Sequence, residues 1–213
     1  MIYSLEIAKQ LANYLLECEA VRLQPSQPFT WASGWKSPIY CDNRKTLSFP
    51  LIRSFIKESF AKLILDKFCD IDRIGGVATG GIAHGALVAD VLKKPFLYIR
   101  SESKSHGLEN QIEGIFEKND SILVVEDLIS TGGSSLNAVK ALRGKNCRVA
   151  GMTAIFTYQF SISEEKFAAE NCTLFTLTNY EVLINCALER NYISQNELEL
   201  LKKWREKPEI WGK

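Results

Sequence analysis

Along residues 4 to 19 the apolar positions Leu5, Ile7, Ala8, Leu11, Ala12, Leu15 and Leu16 gather on one side of a 3.6-residue repeat, which predicts an amphipathic helix. From 21 to 49 that period disappears, and Pro25, Pro28, Gly34 and Pro38 stand among aromatic residues. This stretch reads as a small hood of short strands and turns. Helical spacing resumes after Pro50 through Leu51, Ile52, Phe55, Ile56, Phe60, Leu63 and Ile64.

Short apolar runs then alternate with helical patterns. Strands are predicted over 74–78, 96–99, 121–125, 149–156 and 173–177, and helices over 82–92, 134–143, 163–170 and 179–190, with Gly144 ending the second of these helices. Repeated strand, helix, strand order predicts an α/β fold: a mainly parallel central sheet covered by helices on both faces. Ser194 and Glu197 form a capping box for a last helix that ends before Pro208.

Composition adds boundaries to this picture. The 213 residues are 46% apolar and 24% charged, with 26 basic against 25 acidic side chains and a formal charge of +1. That length suits one domain over 1–213, and the charge balance predicts neither nucleic-acid nor membrane partners. No apolar run approaches the ~18–20 residues of a bilayer span, and Glu6 and Lys9 interrupt the place where a signal peptide needs hydrophobes, so a cytoplasmic location is expected. The six cysteines, at 18, 41, 69, 147, 172 and 186, form no CxxC pair, and only His84 and His106 could join them at a metal. Reduced cysteines, packed mostly in the core, are expected.

The strongest chemical signal is SILVVEDLISTGGSS, residues 121–135. A buried strand carries Glu126 and Asp127 to its C-terminal end, where ligands of open α/β sheets bind. Ser130, Thr131, Gly132, Gly133, Ser134 and Ser135 follow at a helix N-terminus, where amides and hydroxyls can surround a phosphate. Phosphate at the loop and hydroxyls at the carboxylates would suit a ribose 5-phosphate. The segment is neither a Walker loop nor GxGxxG. A plain tight turn and capped helix would leave the paired carboxylates unexplained. In GGVATGGIAHG, 75–85, the amides of Thr79, Gly80 and Gly81 could approach diphosphate oxygens, although an ordinary strand-to-helix turn has the same pattern. His84, at an apolar helix start, reads as structural or as supporting a site indirectly. The polar stretch from 100 to 120 is either a functional lid, over about 100–114, or a hairpin excursion off the sheet.

Residues 121–135 resemble the phosphoribosyl-diphosphate-binding signature of the type I phosphoribosyltransferases. FTWASGWKSPIYCDNR, 29–44, and RSESKSHG, 100–107, are similar to the hood and the catalytic loop of the orotate phosphoribosyltransferases within that superfamily. The resemblance implies the type I fold, Mg²⁺ as cofactor, orotate and 5-phosphoribosyl 1-diphosphate as substrates, and a homodimer sharing its catalytic loops across subunits. It implies catalytic roles for Arg100, Lys104 and His106. Those three residues, with Thr79, Gly80, Glu126, Asp127, Leu128, Ile129, Ser130, Thr131, Gly132, Gly133 and Ser134, would bind phosphoribosyl diphosphate. Ser130, Lys36, Ile39 and Tyr40 would meet orotate, and the metal would be held through substrate with Glu126 and Asp127 as candidate ligands. Ala32, Gly80 and Ser101 stand where some relatives carry lysines, and the strand ending AIFTYQF lacks an arginine that contacts the orotate carboxylate in those relatives. A purine-specific transferase of the superfamily and a non-catalytic phosphoribosyl-diphosphate sensor are the alternatives.

Overall fold

A computed structural model describes residues 1–31, 34–100 and 111–211. Helix α1, Leu5–Glu17, opens where the Ser4 hydroxyl accepts from the Ile7 amide, and it buries Ala8, Leu11, Ala12, Leu15 and Leu16. That buried stripe holds five of the seven positions the sequence period marks; Leu5, at the helix start, is exposed and Ile7 is half-buried. The hood consists of β1 (Val21–Leu23) antiparallel to β4 (Ile39–Cys41), with β2 (Phe29–Thr30) antiparallel to β3 (Lys36–Ser37). A 3₁₀ helix, Asn43–Ser48, leads from it into α2, Pro50–Lys67, whose first position is a proline.

The remaining elements alternate: β5 (Arg73–Val77), α3 (Gly80–Leu92), β6 (Phe96–Ile99), β7 (Ile112–Glu113), β8 (Ser121–Ile129), α4 (Gly133–Gly144), β9 (Arg148–Thr157), α5 (Ser161–Ala169), β10 (Leu174–Asn179), α6 (Tyr180–Glu189) and α7 (Gln195–Glu206). The central sheet runs in the order β10-β9-β8-β5-β6-β7, parallel throughout except that β7 is antiparallel to β6. Ile2 bridges in parallel to Thr176 on β10, so the chain's first residues cover one sheet edge. The capping box of α7 is present with both hydrogen bonds.

Both faces of the sheet are covered, and β8 shows why its sequence is an unbroken apolar run. Leu123 and Val125 enter one core with α1, α2, α3, α6 and α7, while Ile122 and Val124 enter a second core with Leu136, Val139 and Leu142 of α4 and Phe167 of α5. Most boundaries fall within two residues of the sequence expectation, and two segments depart from it further. Strand β8 continues to Ile129, because β9 runs alongside it and pairs Glu126 with Ala154, Leu128 with Phe156 and Ile129 with Thr157. Within the 100–120 stretch, Ile112–Glu113 pairs with β6 at the sheet edge.

No helix among the described residues is long and apolar enough to cross a membrane. All six cysteines are free: Cys18, Cys147, Cys172 and Cys186 are buried, Cys41 is half-buried and Cys69 is exposed.

Candidate active site

The strand order reverses between β5 and β8. From β5 the chain crosses by α3 to β6 on one side; from β8 it crosses by α4 to β9 on the other, and the two helices lie on opposite faces. The crevice outside the carboxyl ends of such strands is the place where ligands enter open α/β sheets. Here β8 also overshoots β5, whose last paired residues are Gly76 with Val125. Glu126 and Asp127 therefore project past their neighbour and form one wall of a cleft of about 440 Å³.

The adjacent carboxylates are in different surroundings. Glu126 is 5% exposed; one of its oxygens accepts from the Asp127 amide at 3.0 Å and the other meets the Ser135 hydroxyl at 3.0 Å. Burial, reinforced by the neighbouring Asp127 charge, pushes its carboxyl well above the usual range. Asp127 is half-buried and lines the cleft, and its backbone carbonyl accepts from the Asn43 side chain at 2.7 Å, tying the hood's exit to β8. Gly80 lies directly against the Asp127 carboxylate, so that any Cβ at 80 would overlap it.

The loop after β8 supplies donors. Gly132, at φ +77°, is the N-cap of α4 and offers no side-chain cap, which leaves the first amides of a twelve-residue helix open to an anion. Ser130, Thr131, Gly132, Gly133, Ser134 and Ser135 line the cleft opposite Thr79 and Gly80. At its rim Arg44 holds Asp42 in a bidentate pair at 2.7 and 3.0 Å, which keeps the Asp42 carboxyl below its usual range.

A second pocket of about 280 Å³ adjoins the first and shares Cys41, Leu128 and Ser130 with it. Trp31, Tyr40 and Tyr158 make its walls aromatic, and Thr30 completes it. Behind Tyr40, the Arg22 guanidinium stacks 5.4 Å from its ring. Burial, with the nearby Asp127 and Asp42 charges, pushes the Cys41 thiol well up, so the shared wall is neutral there. A donor-lined anionic cleft joined to a flat apolar slot fits a phosphorylated sugar in the first and a planar ring in the second.

Of the residues singled out from the sequence, Thr79, Gly80, Glu126, Asp127, Leu128, Ser130, Thr131, Gly132, Gly133 and Ser134 line the polar cleft, and Ser130 and Tyr40 line the slot. Ile129 and Ile39 do not: both side chains are fully buried in the cores. Alternation along a strand places Ile129 in the core behind the cleft-lining Ser130. Lys36 is exposed and donates to the Thr30 hydroxyl at 2.8 Å, one residue behind the slot. Arg100, just past β6, lies 3.7 Å from the Glu113 carboxylate. Lys104, His106, Ala32 and Ser101 lie outside the described residues. His84 is 2% exposed, its Nε2 without a partner, and burial lowers its pKa to about 4. Arg44 and Cys41 on the polar side, and Thr30, Trp31 and Tyr158 on the aromatic side, were not singled out. Position just past the C-terminal end of β9 is the signal that could have pointed to Tyr158.

This fold and paired site define a phosphoribosyl-transferring class: the phosphoribosyl transferase domain family matches residues 49–187. Within it, the chain is 54% identical over 206 residues to the orotate phosphoribosyltransferase of Porphyromonas gingivalis, covering 97% of this chain and 98% of that one. It is 51% identical to that of Listeria innocua, covering 98% and 100%. The solved orotate phosphoribosyltransferase of Aeropyrum pernix superposes with a TM-score of 0.75 at 26% identity, over 86% of this chain and 99% of that one. The chain belongs to the orotate phosphoribosyltransferases.

Proposed function

We propose that this chain, acting as one catalytic domain in the cytoplasm, joins orotate N1 to C1 of 5-phosphoribosyl 1-diphosphate, releasing diphosphate and forming orotidine 5′-monophosphate for pyrimidine synthesis. The observation that carries the reading is the junction of the two pockets at Cys41, Leu128 and Ser130. A ribose whose phosphate occupies the loop at 130–134 would present C1 toward that junction, facing a ring in the aromatic slot.

Such glycosyl transfers pass through oxocarbenium-like states, which need charge stabilisation and the exclusion of water more than a strong base. Orotate itself is an acid whose ring nitrogen can lose its proton without a protein base. Asp127 would hold ribose hydroxyls, with Glu126 behind it as a buried acceptor and donor. The amides at Thr79 and Gly80 would approach the diphosphate. By resemblance, Arg100, Lys104 and His106 bring positive charge and a proton to the departing diphosphate, reaching the partner's site in a homodimer.

Magnesium, when bound, neutralises charge on the diphosphate. Both Glu126 oxygens are engaged within the protein, and no cluster of three or more His, Cys, Asp or Glu among the described residues could cage a metal. This donor set fits a cation held mainly by substrate oxygens, with Asp127 as the protein carboxylate beside it.

Diphosphate release in the presence of magnesium, with orotate, uracil, adenine or hypoxanthine offered in turn, tests the reading. Release with orotate alone is expected. Release with a purine would overturn the assignment of the slot, and binding of phosphoribosyl diphosphate without release with any base would favour a sensor.

A further inference from the structure

The aromatic slot contains an unanswered hydroxyl. Tyr158, immediately after β9, is 2% exposed and its ring packs 5.2 to 6.2 Å, centroid to centroid, from those of Trp31, Phe156, Phe160, Tyr180 and Trp204. Its neighbour Tyr180 donates its hydroxyl to the Leu201 carbonyl at 3.0 Å. The Tyr158 hydroxyl has no hydrogen-bond partner among the described residues, yet Tyr158 lines the slot. The ring is held by the aromatic cluster while the hydroxyl stays open to the slot, where it can donate to an acceptor that a ligand brings.

Among the described residues no lysine, arginine or histidine lines the slot. One cation stands one hydroxyl back: Lys36 Nζ donates to Thr30 Oγ1 at 2.8 Å, so the Thr30 oxygen is occupied as an acceptor and its own O–H is left to donate. Four hydroxyl side chains line the slot, Thr30, Tyr40, Ser130 and Tyr158; Ser130 stands at the junction with the polar cleft, and Thr30 and Tyr158 offer donors away from it. The edge of a pyrimidine dione alternates N–H and C=O and asks for donors and acceptors in turn, whereas a carboxylate has only acceptors and suits a pair of donors.

We infer that Tyr158 is a specificity-determining residue, whose hydroxyl donates to the carboxylate of orotate alongside a Thr30 hydroxyl polarised by Lys36. This rests on the orotate reading of the site. Burial holds the Tyr158 phenol well above its ordinary titration range, so it remains a donor at any pH at which the enzyme works. Charged-group hydrogen bonds of this kind supply the discrimination between orotate and the same ring without its carboxylate.

The test compares the dissociation constants of orotidine 5′-monophosphate and uridine 5′-monophosphate, which differ only in that carboxylate, for wild-type protein and Tyr158→Phe. Wild-type protein should prefer the carboxylated nucleotide. Y158F should weaken that nucleotide alone, by roughly 10- to 100-fold, with the KM for phosphoribosyl diphosphate unchanged and the melting temperature without ligand no lower. Thr30→Val, which leaves the aromatic cluster intact, should narrow the same ratio. A wild-type ratio retained in Y158F, or equal loss of both nucleotides, would overturn the inference. A wild-type protein that shows no preference and releases no diphosphate with orotate would instead sink the orotate reading itself.

Discussion

Gly80 and Asp127 touch across the crevice between β5 and β8, with no room for a single added carbon between them. The carboxylate expected to hold the ribose is therefore positioned by the absence of a side chain on the opposite strand's loop. Gly80→Ala should displace Asp127 and lower kcat/KM by roughly 100-fold, the scale of a misplacement near one ångström. Steady-state diphosphate release, with circular dichroism to confirm an intact fold, checks it; near-wild-type turnover would show that the contact does not position the carboxylate.

Burial separates the roles of Glu126 and Asp127. With its carboxyl pushed up, Glu126 is mimicked by an amide, so Glu126→Gln should keep activity within about tenfold, whereas Asp127→Asn should lose roughly 100-fold or more. A group whose pKa is raised on folding contributes stability below its unfolded value and loses it as pH rises. Thermal melts should show wild-type protein losing ground to E126Q as pH climbs past 4.5.

His84 acts with the opposite sign. Its pKa falls from 6.5 to about 4 because burial disfavours the imidazolium. The unfolded chain then binds the extra proton first, so the stability contributed by neutral His84 is complete above pH 6.5 and is lost as pH falls toward 4, by about 3 kcal/mol in all. Subtracting the pH dependence of His84→Gln from that of the wild type in urea melts isolates this term. A flat difference between pH 4 and 6.5 would show that the imidazole is not desolvated.

The phosphate loop should matter to one substrate only. Thr131→Ala and Ser134→Ala should each raise the KM for phosphoribosyl diphosphate roughly tenfold, the cost of a lost charged-group hydrogen bond, and leave the KM for orotate unchanged. Parallel changes in both constants would place the phosphate elsewhere.

The proposed homodimer, with each catalytic loop serving the partner's site, predicts complementation. Lys104→Ala and Asp127→Asn, each inactive alone, should recover about a quarter of wild-type activity when mixed and reassembled, because half the dimers are mixed and each of these holds one intact site. No recovery in dimers shown by light scattering to have exchanged would mean that each loop serves its own subunit.

Much of this molecule is legible in its residue order. The stripe of α1 from Ala8 to Leu16, the strand at 96–99 and the capping box at Ser194 and Glu197 depend on local spacing, and the structure has them where the pattern places them. The lining of the polar cleft is legible for the same reason: one continuous run, 121–135, carries both carboxylates and the donors after them. Local spacing also allowed errors, since it ended β8 at 125 while pairing with β9 carries the strand to Ile129. Position in a motif puts Ile39 and Ile129 at the site, whereas strand alternation turns both side chains into the cores.

What only the tertiary structure decided lies between distant residues. Gly80 and Asp127 meet because β5 and β8 are neighbours, and Thr30, Tyr40 and Tyr158 form one slot because the hood folds over the end of β9. The different fates of Glu126 and Asp127, identical in charge and adjacent in the chain, follow from burial, which depends on the whole sheet. Sequence determines periodicity and the presence of reactive groups; proximity and desolvation arise from long-range packing, and these set which group is charged and which is left waiting for a partner.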